Sequence, residues 1–428
     1  MNKKKVFVPM ACDLIHEGHI NILKNAAKYG KVIVGLLTDE AISVYKPLPL
    51  LNYQRRLKII TSIKFVDNVE KTGDWDYRQA LEKIRPDFVV HGDDWKENNQ
   101  KQVRANVIKQ IKTWKGSLIE LPYTKGISST IIKKIFRKNI NPDILRRETF
   151  NRLLNSKKLI RVIEVHNGLS ALIGSKSKYK NKEFDCMWLS SLTHSTSKGK
   201  PDIEYIDDTT VSSTINDIFD CSLKPLLFDA DSGGRPEHLK FTIANLDRLG
   251  VSAIVIEDKI GEKKNSLSKK VYSQKQDSIK KFCDKIKIAK KSTISSDIKI
   301  FARIESLILN KGLDDALQRA NAYINAGADG IMIHSKKKTP NEVFAFCKSY
   351  NKFKNRMPLI VVPSTFDKTY EKDLEKNGIN IVIYANQLIR SAIPSMQKTA
   401  ENILKNQRSF DEVRNMMSIK EILQLLDQ

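Results

Sequence analysis

Residues 225–257 read PLLFDADSGGRPEHLKFTIANLDRLGVSAIVIE. Two short apolar runs, Pro225–Asp229 and Ala253–Glu257, flank a helical stretch, and each ends on a carboxylate. A buried β run, a helix and a second buried β run make one βα unit of a parallel sheet. The unit recurs. Comparable runs lie at Leu159–Val165, Cys186–Ser190, Ile300–Ile304, Gly330–His334, Leu359–Pro363 and Ile381–Ala385, most of them followed by a helical stretch. Eight such units within residues 151–428 are the arithmetic of a (β/α)8 TIM-type barrel.

Working outward, residues 1–140 show a second alternation of strand and helix. Strand-like runs at Val6–Cys12, Val32–Thr38, Val66–Lys71, Phe88–Asp93 and Ser117–Tyr123 are separated by helical patterns. These predict helices at Ile20–Tyr29, Tyr53–Ile63, Tyr77–Ile84, Gln102–Trp114 and Ser129–Arg137. That order predicts a doubly wound, Rossmann-like parallel sheet. The polar connector Lys138–Asp143 contains Asn-Pro. It divides the chain into an N-terminal domain at 1–138, a linker at 139–150 and a barrel at 151–428.

Composition narrows the function classes. No stretch approaches the roughly 18 apolar residues of a membrane helix, and Asp13 and His16 interrupt the N-terminal apolar run too early for a signal peptide. A cytoplasmic, non-membrane protein is expected. The five cysteines (Cys12, Cys186, Cys221, Cys283 and Cys347) lack paired spacing, which excludes a zinc knuckle or a disulfide framework. Net charge is +25, divided almost evenly into +12 before residue 140 and +13 after it. With no basic tail and no basic helix interleaved with aromatics, the charge predicts attraction of anionic small substrates rather than nucleic acid. The competing reading of another class is a nucleic-acid-binding protein on an enzyme-derived scaffold, marked by steeply salt-dependent affinity.

The loop after the first strand runs Met10-Ala-Cys-Asp-Leu-Ile-His16-Glu-Gly-His19 straight into a helix. Two imidazoles beside a helix N-terminus, with Gly18 allowing close backbone approach, suit a phosphate. The plain alternative is two surface histidines capping the helix. Gly126-Ile127-Ser128-Ser129-Thr130 follows the last strand and offers hydroxyls and N–H groups to a polyphosphate, while Lys46 and Arg55–Arg56 add positive charge. Over residues 5–137, the HEGH pattern, HGDDW at 91–95 and the GISST helix start resemble the glycerol-phosphate and choline-phosphate cytidylyltransferases. The resemblance implies that His16 and His19 stabilise charge on the nucleotide α-phosphate as pyrophosphate leaves. It further implies that Lys46, Arg55, Ser128, Ser129 and Thr130 hold phosphates, with Gly92 and Asp93 near the nucleotide and CTP as substrate. Where the glycerol-phosphate enzymes carry Arg-Thr-Glu before Gly-Ile-Ser, this chain has Tyr123-Thr124-Lys125.

Active sites of barrels of this kind gather at the C-terminal strand ends. Those positions hold Trp188 and Ser190, Asp229 and Asp231, Glu257, Arg303 and Glu305, and His334. Asp229, Asp231 and Glu257 form a hard oxygen set suited to Mg²⁺, and Arg303 with His334 can clamp a phosphoryl group or carboxylate. The plain alternative is a buried salt-bridge network closing the barrel top. After the fourth strand, Glu257-Asp-Lys-Ile-Gly-Glu-Lys-Lys-Asn-Ser266 is polar and long enough for a lid, with Lys263 and Asn265 on it.

From about residue 150 to 405 these segments, above all FARIESLILNKG…GADGIMIHSK at 301–336, resemble phosphoenolpyruvate mutase of the isocitrate lyase superfamily. The resemblance implies conversion of phosphoenolpyruvate to phosphonopyruvate, with Mg²⁺ held through Asp229 while Asp231 and Glu257 act mostly through water. It implies that Trp188, Ser190, Ser191, Leu192 and Ser266 bind substrate. Arg303, His334 and Asn265 would hold the migrating phosphoryl group, and Lys263 would pin the closed loop. Asp202, in the GKPD loop, corresponds to the family's catalytic aspartate. Carbon–carbon lyases of the superfamily carry a loop cysteine that Glu-Lys-Lys-Asn-Ser lacks. Phosphonopyruvate hydrolase shares the metal site, and Lys263-x-Asn265 favours the mutase over it. Together the two resemblances imply a bifunctional phosphonate-pathway enzyme whose N-terminal domain couples CMP to 2-hydroxyethylphosphonate or 2-aminoethylphosphonate. A homo-oligomer through the barrel, dimer or tetramer, is also expected.

Overall fold

The computed structural model describes residues 4–46, 48–96, 100–122, 142–266, 274–295 and 297–426. It divides into two compact units: Met1–Ile160 with Lys178–Glu183, and Arg161–Ser177 with Phe184–Gln428.

The first unit is built on five parallel strands: β1 (Lys5–Met10), β2 (Lys31–Leu37), β3 (Asn68–Thr72), β4 (Phe88–Gly92) and β5 (Ser117–Leu121). They lie in the order β3-β2-β1-β4-β5. The order reverses between β1 and β4, which opens a crevice beyond their C-terminal ends. Because side chains alternate along a strand, β1 feeds two cores. Phe7 packs with α2 (Asp39–Ser43), α4 (Arg78–Ile84) and α5 (Lys101–Lys112). Val6 and Val8 pack with α1 (Glu17–Ala26) and α3 (Tyr53–Thr61) on the other face. Helices on both faces make the unit doubly wound, as the sequence predicts. Short α2 went unpredicted because five residues carry no readable period.

Residues 142–150, expected as linker, begin a 15-residue helix, α6 (Pro142–Ser156). Its buried Arg146, Phe150 and Leu153 recur at helical spacing, and Arg152 reaches Asp39 at 3.4 Å and the Leu50 carbonyl at 3.0 Å. The Asn-Pro signal marks the start of that helix, a position proline favours. The expected helix Ser129–Arg137 lies outside the described residues.

The second unit closes a barrel of eight parallel strands: β6 (Ile160–Glu164), β7 (Cys186–Leu189), β8 (Leu226–Asp229), β9 (Ala253–Glu257), β10 (Lys299–Ile304), β11 (Gly330–Ile333), β12 (Leu359–Val361) and β13 (Ile381–Tyr384). All eight predicted runs are strands, each end within two residues of its predicted position. Every pairing with a resolved register is parallel, and β6 pairs with β7. Gly330 is required at the start of β11, because any Cβ there would collide with the Phe301 ring and press on the Pro358 carbonyl. Helices follow the strands: α7 (Gly168–Lys176), α8 (Ser191–Ser197) and α9 (Asp208–Cys221), then α10 (Pro236–Arg248), α11 (Ile279–Ser292) and α12 (Gly312–Asn325). The last are α13 (Asn341–Tyr350), α14 (Glu371–Lys376), α15 (Gln387–Asn406) and α16 (Ile419–Leu426). Among the described residues no helix is long and apolar enough to cross a membrane.

Candidate active sites

In the first unit, the loop leaving β1 turns through Cys12 at φ 51°, a left-handed conformation seldom taken by a non-glycine residue. It delivers His16 to the N-cap of α1. The Nδ1 of His16 accepts the Gly18 N–H at 3.2 Å, and the Nδ1 of His19 accepts the His16 N–H at 3.4 Å, a reciprocal capping box. The capping alternative and the catalytic reading are therefore compatible: with Nδ1 accepting in both rings, a neutral imidazole carries its proton on Nε2 and keeps that donor for a ligand. Burial, with His16 and Lys46 nearby, pushes His19 down to about 4, while Asp13 works weakly the other way. His16 is lowered too, by burial against the opposing pull of Glu17. Both rings are neutral donors at pH 7, and their centroids lie 4.0 Å apart.

Other predicted groups divide. Lys46 is exposed and close enough to act on His19. Gly92 ends β4 and Asp93 follows it, on the far side of the strand-order reversal from His16. Arg55 is exposed. Arg56 is a correction. It is fully buried, and its guanidinium donates to the carbonyls of Leu51 (3.0 Å), Ala11 (2.5 Å) and Leu37 (2.8 Å) and to Asp39 (2.6 Å). Four of its five N–H groups are spent inside the fold, two of them on the ends of β1 and β2, so it is a structural clamp. Ser128, Ser129 and Thr130 lie outside the described residues. Sequence reasoning missed the brace under HGDDW: His91 stacks on buried Trp95 at 3.9 Å, Trp95 donates to Glu120 at 2.8 Å, and Arg104 grips Glu120 with two bonds of 2.8 Å.

In the second unit, a cavity of about 580 Å³, open to solvent, lies among the C-terminal strand ends. Trp188, Ser190, Ser191, Leu192, Asp202, Asp229, Glu257, Lys263, Asn265, Ser266, Arg303 and His334 all line it. Of the residues singled out at the strand ends and on the loop, all but Asp231 and Glu305 line it. Asp231, at φ 50°, is ion-paired with the lining residue Lys263. The loop after β9 is latched at several points. Asn265 donates to Asp202 at 2.9 Å, Lys263 donates to Ser191 at 3.1 Å, and the Lys263 ammonium lies 3.8 Å from Asp202. Ser266 donates to Glu305 at 2.7 Å and accepts from Arg303 at 2.9 Å.

Charge is balanced tightly here. Burial opposes ionisation of Glu305, but Arg303, His334 and Lys259 overcome it and hold the carboxyl well below its usual range. Burial likewise opposes the Arg303 charge, which Glu305, Glu257 and Asp229 restore and reinforce. Arg303 donates to Glu305 at 2.6 Å and to His334 Nδ1 at 3.0 Å. Because an arginine only donates, neutral His334 keeps its proton on Nε2. Burial and Arg303 both lower His334. Glu257 is pushed up to about 8, by burial and then by Glu305 and Asp229 against the pull of Arg303 and Lys259. Behind the wall, buried Asp258 accepts from Tyr323 (2.8 Å), Gln276 (2.9 Å) and the Glu305 N–H (3.0 Å), fixing the end of β10.

Among the described residues no three His, Cys, Asp or Glu side chains converge closely enough to cage a metal. The set nevertheless fits Mg²⁺, a hard cation that keeps several waters and takes one or two carboxylates. Asp229 and Glu257 both line the cavity, and Asp202 Oδ1 is buried there with no hydrogen-bond partner. Residues missed from sequence are Lys259, Met332, Val362, Ser364, Ala385 and Asn386. Ser364 and Asn386 directly follow predicted strands, so the strand-end rule could have found them.

A closed parallel barrel whose mouth joins three carboxylates to an arginine, a lysine and a histidine defines an α/β enzyme for small anionic substrates. The chain belongs to the phosphoenolpyruvate phosphomutase family, which matches residues 150–404, and residues 12–135 match the cytidylyltransferase-like family. It is 34% identical to phosphoenolpyruvate phosphomutase of Tetrahymena pyriformis, over 64% of this chain and 88% of that one. It is 30% identical to phosphonopyruvate hydrolase of Variovorax sp., over 65% and 94%. Among solved structures, phosphoenolpyruvate phosphomutase from Streptomyces platensis matches with a TM-score of 0.61 at 29% identity, covering 65% of this chain and 94% of that one.

Proposed function

We propose that the barrel interconverts phosphoenolpyruvate and 3-phosphonopyruvate, and that the N-terminal domain transfers a cytidylyl group from CTP to 2-hydroxyethylphosphonate or 2-aminoethylphosphonate. The functional domains of this reading are 1–138 and 151–428. The observation that carries the mutase assignment is the latch of Asn265 and Lys263 onto Asp202, with Lys263 also on Ser191. Moving phosphorus between oxygen and carbon demands that water be kept from the phosphoryl group in transit. A loop fastened across the mouth through the residues that line it supports that exclusion.

Ser190, Ser191 and Leu192 hold the pyruvyl part beside Trp188, while Arg303, His334 and Asn265 hold the phosphoryl oxygens. A loose phosphoryl-transfer transition state asks mainly for positioning and countercharge, which an arginine locked in place by Glu305 supplies without reorganisation. Asp202 keeps Oδ1 free of hydrogen bonds, and that oxygen is assigned to the migrating group. Asp229, with Asp231 and Glu257, would hold Mg²⁺, which would supply Lewis-acid charge at the substrate oxygens. In the N-terminal domain, His16 and His19 donate from Nε2 to the α-phosphate, and Lys46 and Arg55 add countercharge. The segment Ser128–Thr130 is assigned to the same phosphates by resemblance alone.

The test supplies phosphonopyruvate and Mg²⁺ to the full chain and follows ³¹P NMR. Phosphoenolpyruvate as main product is expected. Stoichiometric phosphate and pyruvate would overturn the mutase in favour of the hydrolase, the second reading that the 30% identical relative supports. Pyrophosphate release from CTP with either phosphonate tests the other domain, and inertness with every nucleotide would overturn it.

A further inference from the structure

Lys259 is a buried ammonium that the chemistry above leaves without a task. It stands two residues beyond Glu257, on a short ribbon in which Lys259–Ile260 pairs antiparallel with Lys275–Gln276. Its Nζ donates to the Lys264 carbonyl at 3.0 Å, to Ser266 Oγ at 2.8 Å and to Gln274 Oε1 at 3.2 Å. The same nitrogen lies 3.2 Å from Glu257 and 3.8 Å from Glu305. One cation thus touches both described ends of the loop that carries Lys263 and Asn265, and two carboxylates of the barrel mouth. Gln274 in turn donates to the Asn265 carbonyl at 3.4 Å.

The geometry points to Lys259 as a positioning residue that fastens the loop after β9 to the barrel mouth, so that Asn265 and Lys263 meet Asp202 in one arrangement. A buried ammonium with mismatched partners is costly, so its charge-assisted bonds favour the single geometry in which all are made. The fastening is independent of which reaction the site performs; its consequence for product rests on the mutase reading. In isomerisation the phosphorus–carbon bond breaks and a phosphorus–oxygen bond to the enolate forms, with no net proton. With the loop unfastened, water enters: its oxygen bonds phosphorus, its proton goes to the enolate carbon, and phosphate and pyruvate leave.

The test uses the full chain with Mg²⁺ and oxalate, and two variants. Lys259→Met removes the ammonium; Gln274→Leu removes the Gln274 bonds to Lys259 and to the Asn265 carbonyl without touching either carboxylate and keeps the experiment decisive if the first variant unfolds. Tryptic cleavage within residues 263–275 should quicken about 10–100-fold in Lys259→Met, the worth of a charge-assisted bond, and by a smaller factor in Gln274→Leu. Cleavage rates in the folded variants within about twofold of the unmutated chain would overturn the fastening. With phosphonopyruvate as substrate, the share of turnovers ending as phosphate and pyruvate should rise about tenfold or more in both variants, a partition that a merely structural lysine would not move. If the unmutated chain yields only phosphate and pyruvate, the mutase reading fails, and the cleavage comparison still decides the role of Lys259.

Discussion

In the proposed reading, the two sites face the same problem, a phosphate-bearing anion, with different means. At the barrel mouth, side chains from seven strand ends meet, and most are already engaged with one another: Arg303 with Glu305, Ser266 and His334, Lys263 with Asp231, Asn265 with Asp202. In the N-terminal unit, the two histidines sit on a single strand-to-helix turn, each ring oriented by a backbone N–H two or three residues away. Both turns contain a left-handed non-glycine residue, Cys12 and Asp231. A network of formal charges resists protonation changes but collapses when a central member goes. A helix cap built from neutral rings is local, and its parts fail separately.

Four experiments would break or sharpen that contrast. The largest effect is expected from Asp229→Ala, which removes the carboxylate assigned to direct Mg²⁺ contact. Barrel turnover should fall about 10⁴-fold, the equivalent of several kcal/mol of charge stabilisation. Pyrophosphate release from CTP should hold its rate; a matching loss there would show that the sites are one system.

Next comes Arg56→Met. It strands Asp39 Oδ1 and three carbonyls in the interior, so the N-terminal unit should lose about 3–5 kcal/mol of stability. Calorimetry should show the transition of that unit shifted downward while mutase turnover persists. An unshifted transition would return Arg56 to the positive charge available near the histidines.

His19→Ala should lower cytidylyl transfer about 10²–10³-fold, as for one lost transition-state donor, and leave the barrel unaffected. Unchanged pyrophosphate release would remove the histidine from the mechanism.

The smallest effect is a pH dependence. Folded His19 titrates near 4 and the unfolded residue near its ordinary 6.5. Between those values the unfolded chain binds more protons, so acid costs stability: the contribution is nil above about pH 6.5 and grows as pH falls toward 4. Urea midpoints at pH 7.5 and pH 5 should therefore converge in His19→Ala relative to the unmutated chain. An equal drop in both would mean that His19 is protonated in the folded state near neutrality.

Every barrel strand was legible, because a run such as Ala253–Glu257 declares its burial within five residues. So were the carboxylates and cations at the strand ends, since a fixed side of the barrel carries the chemistry. The helix Pro142–Ser156 was not read, because its apolar stripe is interrupted by Arg146 and Arg152, whose partners lie on the chain itself and far upstream.

By itself, the sequence determined the alternation of strand and helix and most of the residues delivered to the barrel mouth. These follow from local periodicity and from the rule that side chains at strand ends converge when a sheet closes. Only the tertiary structure decided what each charge does. Arg55 and Arg56 are adjacent and chemically identical, yet one is exposed and the other clamps the ends of β1 and β2, because helical rotation turns one outward and one inward. Lys259 and Lys263 stand one helical turn's worth of residues apart, yet one grips the loop and the other its target. The partners that separate them, Glu305 and Gln274 for one, Ser191 and Asp202 for the other, lie up to 72 residues away and meet only when the barrel closes.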